Sequence, residues 1–140
     1  MRYPVEFVPE DNGTVTIYVP DIPGCHTFGE DRPQALARAI DAAEGMLAAR
    51  IADGEDIPPP SDPAGRSTIA IPAISVAKLA LNKAMRDAGI GGTELAKQLG
   101  WDPSQVARVL DLNEGSKFEQ VEIALQALGK HIEIQILDAA

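Results

Sequence analysis

The sequence has little of what several classes of protein require. A single cysteine among 140 residues rules out a disulfide framework within the chain, as expected for a reducing compartment, so we predict a cytoplasmic protein. No run approaches the roughly 20 apolar residues that a membrane span requires. The N-terminus also lacks the apolar core of a secretory signal peptide. One cysteine and two widely separated histidines lack the spacing of zinc ligands, so we expect no metal site.

Basic charge is also scarce, above all in the first half of the chain. The formal net charge is −9, and residues 1–66 hold 12 acidic and five basic side chains, against nine and seven in residues 67–140. An acidic surface repels nucleic acids and membranes and attracts basic proteins. The first half is therefore a candidate for binding a basic protein. Acidic residues that only keep a small domain soluble explain the composition equally well.

The first 73 residues have the pattern of a small antiparallel sheet with one helix. Alternating apolar residues in RYPVEFV and TVTIYV, on either side of Asn12-Gly13, predict a β-hairpin. A short strand around His26 and a fourth in TIAIP complete the predicted sheet. Apolar residues at spacings of three and four predict a helix that Asp31 and Gln34 cap. Residues 53–67, rich in proline and acidic residues, form a loop or a linker.

Residues 74–140 are predicted to form an all-α domain with a C-terminal strand. Candidate capping residues precede four helical segments, and these are Ser75, Thr93, Asp102 and Ser116. The final HIEIQIL alternates three isoleucines with polar residues, so it is predicted to be a strand with one apolar face, formed by Ile132, Ile134 and Ile136.

The segment TELAKQLGWDPSQVARVL has the pattern of a helix-turn-helix. Ala96 is the small residue between the helices and Gly100 makes the turn, while leucines and valines supply the core side chains, namely Leu95, Leu99, Val106 and Leu110. The second helix then presents side chains that read base edges or hold phosphates, namely Ser104, Gln105 and Arg108. Flanking phosphate contacts are predicted for Thr93, Lys97 and Lys117.

A generic helical module in which Arg108 and Lys97 are simply solvated is the plain alternative. The mild negative charge of this half also opposes DNA binding, because affinity for phosphates depends on cations. Pairing of the C-terminal strands of two chains answers that objection, since a homodimer would place two recognition helices on a palindromic site.

Taken together, these segments resemble the HicB family of antitoxins over essentially the whole chain. The pieces that carry the resemblance are YPV near the start, VPDIPGCHTFGED running into QALARAIDAAEGML, the IPPPS segment, and a module similar to the Xre/Cro class that ends in ALGKHIEIQIL. The resemblance implies a degenerate RNase H-like α+β domain that blocks HicA, a small basic ribonuclease toxin. It also implies a second domain that represses the operon by binding operator DNA, with no enzymatic activity and no cofactor.

Residues near the turn after the second strand are the candidate toxin contacts, and these are Asp21, His26, Glu30 and Asp31. Shaping the loop is an equally good explanation for them. Two other functions remain open: a stand-alone repressor whose first domain senses a ligand, and a nuclease in which acids of an RNase H-like site hold a metal ion.

Cys25 and His26 stand side by side in PDIPGCH and raise the question of a nucleophile with its base. No Asp or Asn in the pattern marks a third, orienting residue, and adjacent residues of a strand point to opposite faces. We therefore interpret the segment as a turn.

Overall fold

The computed structural model describes residues 1–138, and the chain divides into two compact units, the first Met1–Val76 and the second beginning at Ala77. The division lies three residues after the domain boundary predicted from the sequence. The chain has the predicted α+β composition, with short antiparallel strands in the first unit and helices in the second. No helix within the described residues is long and apolar enough to cross a membrane.

Five short strands form two antiparallel sheets in the first unit. They are β1 (Arg2–Pro4), β2 (Glu6–Pro9), β3 (Val15–Tyr18), β4 (His26–Gly29) and β5 (Thr68–Ala70). Strands β2, β3 and β4 form a three-stranded sheet in that order, whereas β1 pairs with β5. In the larger sheet, Ile17 lies opposite Phe7 on one side and Thr27 on the other.

The single first strand predicted over residues 2–8 is wrong in one respect, because the chain changes partner at Val5. Val5 donates its N–H to the carbonyl of Ser67 at 2.9 Å, and only from Glu6 onward does the chain pair with β3. The change of partner falls beside Pro4, which has no N–H to give to a ladder. The predicted fourth strand exists as β5, but it pairs with β1 and does not extend the three-stranded sheet.

Helix α1 (Arg32–Ala52) covers one face of the three-stranded sheet. The predicted cap is confirmed, since Asp31 accepts a hydrogen bond from the N–H of Gln34 at 2.9 Å. The Gln34 side chain turns back to the N–H of Glu30, one residue earlier than a standard capping box. The buried face of the helix has small residues at intervals of four, so the helix lies close to the strands, and it consists of Ala35, Ala39, Ala43 and Leu47.

Residues 53–67 have no helix or strand, yet side chains fix them to the first unit at several points. The buried Tyr3 hydroxyl donates to the carbonyl of Pro58 at 2.6 Å. The Asp21 carboxylate accepts from both the N–H of Ser61, at 2.7 Å, and its hydroxyl, at 3.0 Å. The segment is therefore a loop internal to the first unit.

The helices that follow are α2 (Ala73–Ala88), α3 (Gly92–Leu99), α4 (Pro103–Leu110) and α5 (Phe118–Ala127). Helix α3 packs against α4 and α5. The core of the second unit contains side chains from each helix, among them Leu81, Leu95, Val106, Val109 and Val121. Gly89, Gly100 and Gly129 follow α2, α3 and α5 with positive φ angles, which confirms the three predicted glycine stops.

Of the four caps predicted for these helices, the one at Asp102 is confirmed and three are wrong. Asp102 and Gln105 form a complete capping box. Ser75 instead lies inside α2, where its hydroxyl hydrogen-bonds to Glu44, and Thr93 lies inside α3, which Gly91 precedes. Ser116 donates to the carbonyl of Arg108 at 3.3 Å, one residue before the position that caps α5.

The C-terminal segment 130–138 has no regular secondary structure in the single chain. The predicted strand over HIEIQIL is therefore absent here. A strand requires a partner, and the described part of the second unit contains no other strand. Two of its isoleucines are strongly exposed, Ile134 at 66% and Ile136 at 87%.

Candidate functional site

The face of the three-stranded sheet that α1 does not cover is the first candidate site, and we call it the open sheet face. Alternation along β3 buries Ile17 and turns Tyr18 outward. The outward-facing apolar side chains come one from each strand, and they are Val8 (42% exposed), Tyr18 (42%) and Phe28 (54%). Large apolar side chains grouped on one exposed face are typical of an interaction surface.

Contacts between neighbouring side chains order the open sheet face. The His26 ring stacks on Tyr18, its partner across the ladder, with 5.6 Å between ring centroids. Arg38, from α1, places its guanidinium 5.4 Å from the centre of the Phe28 ring and donates to the Phe28 carbonyl at 3.0 Å. Aromatic stacking and cation–π contacts of this kind restrict the rotamers of exposed rings, so these rings lose less conformational entropy on binding.

Of the four toxin contacts predicted from the sequence, the structure brings only His26 to this face. Asp21 is engaged by Ser61, and Asp31 caps α1. Glu30 is exposed beside that cap, where its N–H donates to Gln34. Sequence reasoning missed Val8, Tyr18 and Phe28, although alternation along the three strands places them on the face opposite Phe7 and Ile17. Within residues 1–138, no three His, Cys, Asp or Glu side chains are grouped to hold a metal ion.

The structure agrees with the interpretation of PDIPGCH as a turn. Cys25 donates its N–H to the carbonyl of Ile22 at 3.0 Å, and its own carbonyl accepts from Val19 at 2.9 Å. The Cys25 side chain is buried, and burial raises the pKa of its thiol, so the thiol is protonated at neutral pH. The adjacent imidazole of His26 stacks on Tyr18.

The second candidate site is the exposed side of α4. Ser104, Gln105 and Arg108 are all exposed, as the sequence predicts. The first two also hold the start of the helix: Ser104 donates its N–H and hydroxyl to Asp102, and the Gln105 side-chain oxygen accepts from the N–H of Asp102 at 3.0 Å. The Ser104 bonds keep the pKa of the Asp102 carboxyl below its usual value.

The flanking residues Thr93, Lys97 and Lys117 are exposed as well. On the buried side, one predicted anchor is wrong: Val109 is fully buried, while Leu110 is only partly so. A helix turns by 100° per residue, so residues three apart, such as Val106 and Val109, share a face as readily as residues four apart.

Comparison with known proteins assigns the family. The family model described as "HicB_like antitoxin of bacterial toxin-antitoxin system" matches residues 2–80. The chain belongs to this family of antitoxins, which confirms the resemblance found in the sequence.

Individual relatives match almost the whole chain. Antitoxin HicB 2 of Photorhabdus laumondii is 37% identical over 96% of this chain and 95% of its own length. Antitoxin HicB of Pseudomonas fluorescens is 35% identical over 92% and 90%, and antitoxin HicB of Escherichia coli K12 is 31% identical over 96% and 98%.

A solved structure of the N-terminal domain of Burkholderia pseudomallei antitoxin HicB aligns with 51% of this chain and 99% of its own, at 26% identity and a TM-score of 0.45. The RNase H-like topology implied by the resemblance stays a prediction.

Proposed function

We propose that the chain neutralises a small basic HicA-like ribonuclease toxin by binding it through the open sheet face. Membership of the antitoxin family supports the class of partner, and the exposed cluster of Val8, Tyr18 and Phe28 is the observation that supports the place. The first unit carries all 12 acidic and five basic residues of positions 1–66, so its field attracts a basic protein. Covering the toxin's catalytic surface requires no chemistry from the antitoxin.

Growth of a bacterial host tests this proposal. The short reading frame beside this gene is expressed alone and together with this protein, and we expect growth arrest that the protein relieves. The double variant Tyr18→Ala, Phe28→Ala should lose the rescue, because aromatic anchors dominate such interfaces. Ile123→Ala removes an equally exposed apolar side chain from α5 and is the matched control.

Two outcomes would oppose the proposal. No arrest, or arrest that the wild-type protein does not relieve, would favour a stand-alone repressor that senses a ligand. Full rescue by a stably folded double variant would move the binding surface elsewhere, and His26, Glu30 and the remaining predicted contacts Asp21 and Asp31 would then be tested in turn.

We also propose that α3 and α4 act as a helix-turn-helix that binds operator DNA and represses the operon. The exposed polar side of α4 supports this, with Arg108 as the base-reading or phosphate-holding cation. Arg108→Ala should weaken binding to the DNA immediately upstream of this gene by ~1–3 kcal/mol. Lys83→Ala is the control, since it removes one exposed charge from α2. Equal losses of affinity in both variants would mean that the chain binds DNA only by non-specific charge attraction.

Pairing of the C-terminal segments is the proposed route to a dimer. The apolar side chains of Ile132, Ile134 and Ile136 alternate with polar ones, and Ile134 and Ile136 are exposed in the single chain. Ile134→Lys should therefore yield a monomer in sedimentation equilibrium. Gln135→Lys introduces the same charge on the other side of the alternation and should remain dimeric. A wild-type chain that sediments as a monomer at every concentration would contradict the proposal.

A further inference from the structure

A buried lysine in the second unit donates its hydrogen bonds to backbone carbonyls. Lys78, in α2, is 1% exposed, and its Nζ donates to three backbone carbonyls: Arg108 at 3.1 Å, Asp111 at 2.8 Å and Glu114 at 2.6 Å. Burying a charge is costly unless hydrogen bonds replace its hydration. Here three main-chain oxygens replace the water around the Lys78 amine.

The number of acceptors fixes the state of the amine. An ammonium has three N–H donors, one for each carbonyl, whereas a neutral amine has two and would turn its lone pair toward the third oxygen. Burial lowers the pKa of Lys78, while the carboxylates of Asp111 and Glu114 act in the opposite direction. Lys78 is thus held as a cation by the carbonyls of Arg108, Asp111 and Glu114, which we call the carbonyl cage.

The three carbonyls that accept hydrogen bonds from Lys78 all lie at the C-terminal end of α4 or in the loop that follows it. The last four carbonyls of a helix have no partner within the helix, and they carry the negative end of its dipole. A cation at this end donates hydrogen bonds to the free carbonyls and also balances the negative end of the dipole. Arg108 lies in the last turn of α4, and Asp111 is its C-terminal cap residue.

A second side chain of α2 holds the same helix end. Asn82, one turn after Lys78, donates its amide to the carbonyl of Leu110 at 3.0 Å and to that of Lys78 at 2.8 Å. Ser116, in the loop, adds a bond to the Arg108 carbonyl at 3.3 Å. The end of α4 is therefore tied to α2 by polar side chains as well as by packing.

We infer that Lys78 is a positioning residue for DNA binding, which acts by fixing the end of α4 and residues 111–117. The inference rests on the proposed DNA-binding function. Through the cage, Lys78 sets the backbone that carries Arg108 and Lys117, the cations proposed to meet the DNA. Being buried, it neutralises no phosphate itself.

The test compares two variants of the full chain that remove the same charge from the same helix. Lys78→Met keeps an unbranched side chain as far as the ε position and loses the Nζ donors, and Lys83→Met removes the exposed lysine five residues later. Hydrogen exchange of the backbone amides in residues 108–117 should accelerate in the first variant only. Exchange at the wild-type rate in a folded Lys78→Met chain would overturn the inference.

DNA binding supplies the second readout, at a temperature where circular dichroism finds the variant folded. Affinity of Lys78→Met for the upstream DNA should fall by about tenfold or more, with the salt dependence unchanged, because no phosphate contact is lost. Lys117→Ala should instead reduce the slope of log affinity against log salt by about one. Affinity within about twofold of wild type would overturn the positioning role.

Two further outcomes are kept separate. If Lys78→Met does not fold, Asn82→Ala takes its place, with faster exchange at residues 108–112 as the expected result and unchanged exchange as the contradicting one. If the wild-type chain does not prefer upstream DNA over unrelated DNA, the proposed repressor function fails, while hydrogen exchange still decides whether Lys78 holds the end of α4.

Discussion

Gly29 at the end of β4 is the position where one added methyl group should do most damage to the first unit. A Cβ atom there would lie 2.4 Å from the backbone nitrogen of Ala35 and 2.9 Å from the carbonyl carbon of Gln34. Both atoms belong to the first turn of α1, which no side-chain rotation can move away. Gly29→Ala therefore has to displace the start of the helix or the end of the strand.

The size of the effect follows from the distances. Ordinary contact begins near 3.4 Å, so the helix start must shift by about 1 Å. That shift strains the bond from Ala35 N–H to the Asp31 carbonyl, which is 3.0 Å long. Overpacking of a core lowers the free energy of unfolding by ~1–3 kcal/mol. Because the clashing atoms here belong to the backbone, we expect Gly29→Ala to lower it by about 3 kcal/mol. Gly45→Ala, inside α1 with open space around it, should instead stabilise by ~0.5–1 kcal/mol.

The free energy of unfolding of both variants is measured by urea titration. The chain's two tyrosines, Tyr3 and Tyr18, both lie in the first unit, so in a Trp101→Phe background the near-ultraviolet circular dichroism of tyrosine follows that unit. In chains that retain Trp101, its fluorescence reports on the second unit. The same glycine-to-alanine change should move the tyrosine transition in opposite directions at the two positions. A Gly29→Ala protein as stable as Gly45→Ala would refute the close approach of α1 to β4.

Two smaller predictions concern buried titratable groups. Burial, with a further contribution from Asp21, raises the pKa of Tyr3 above its ordinary value of 10.0. Above about pH 10 the unfolded chain then loses this proton before the folded one does, so its contribution to stability falls as the pH rises. Tyr3→Phe should be less stable than wild type by ~1 kcal/mol at neutral pH, because the Pro58 carbonyl loses its donor, and the difference should shrink in alkaline urea titrations. A difference that stays constant to high pH would contradict this. Cys25, buried and protonated, should react with a thiol reagent far more slowly in the native protein than in urea, and equal rates would mean that the turn opens freely.

Local sequence patterns predicted those features that are complete within a few residues. The Asp102–Gln105 capping box and the Asp31 cap depend only on neighbouring backbone groups, so the sequence identified both. Ser75 and Ser116 offer the same kind of signal, yet their hydroxyls bond to Glu44 and to the Arg108 carbonyl, which are distant in sequence. Tertiary contacts decided those two positions.

The candidate sites also differ in how far local sequence patterns could predict them. Helical periodicity was enough to place Arg108 on the exposed side of α4. The open sheet face could have been found from alternation, but the acidic residues drew the interpretation toward Asp21 and Asp31, whose carboxylates serve the fold. The role of Lys78 was beyond sequence reasoning, because a lysine in a helix ordinarily indicates a solvated position.

The pairing of β1 with β5 has a practical consequence for anyone who divides this chain into fragments. Composition suggests a cut within residues 53–67, but the strand that follows is hydrogen-bonded to the first strand of the chain. A fragment ending at residue 52 would lack β5 and would expose the side of β1 on which Tyr3 pairs with Ile69. Protease cleavage within the loop should leave two pieces that still copurify, because β1 and β5 remain paired. The first stretch that can be detached as an autonomous piece must include β5.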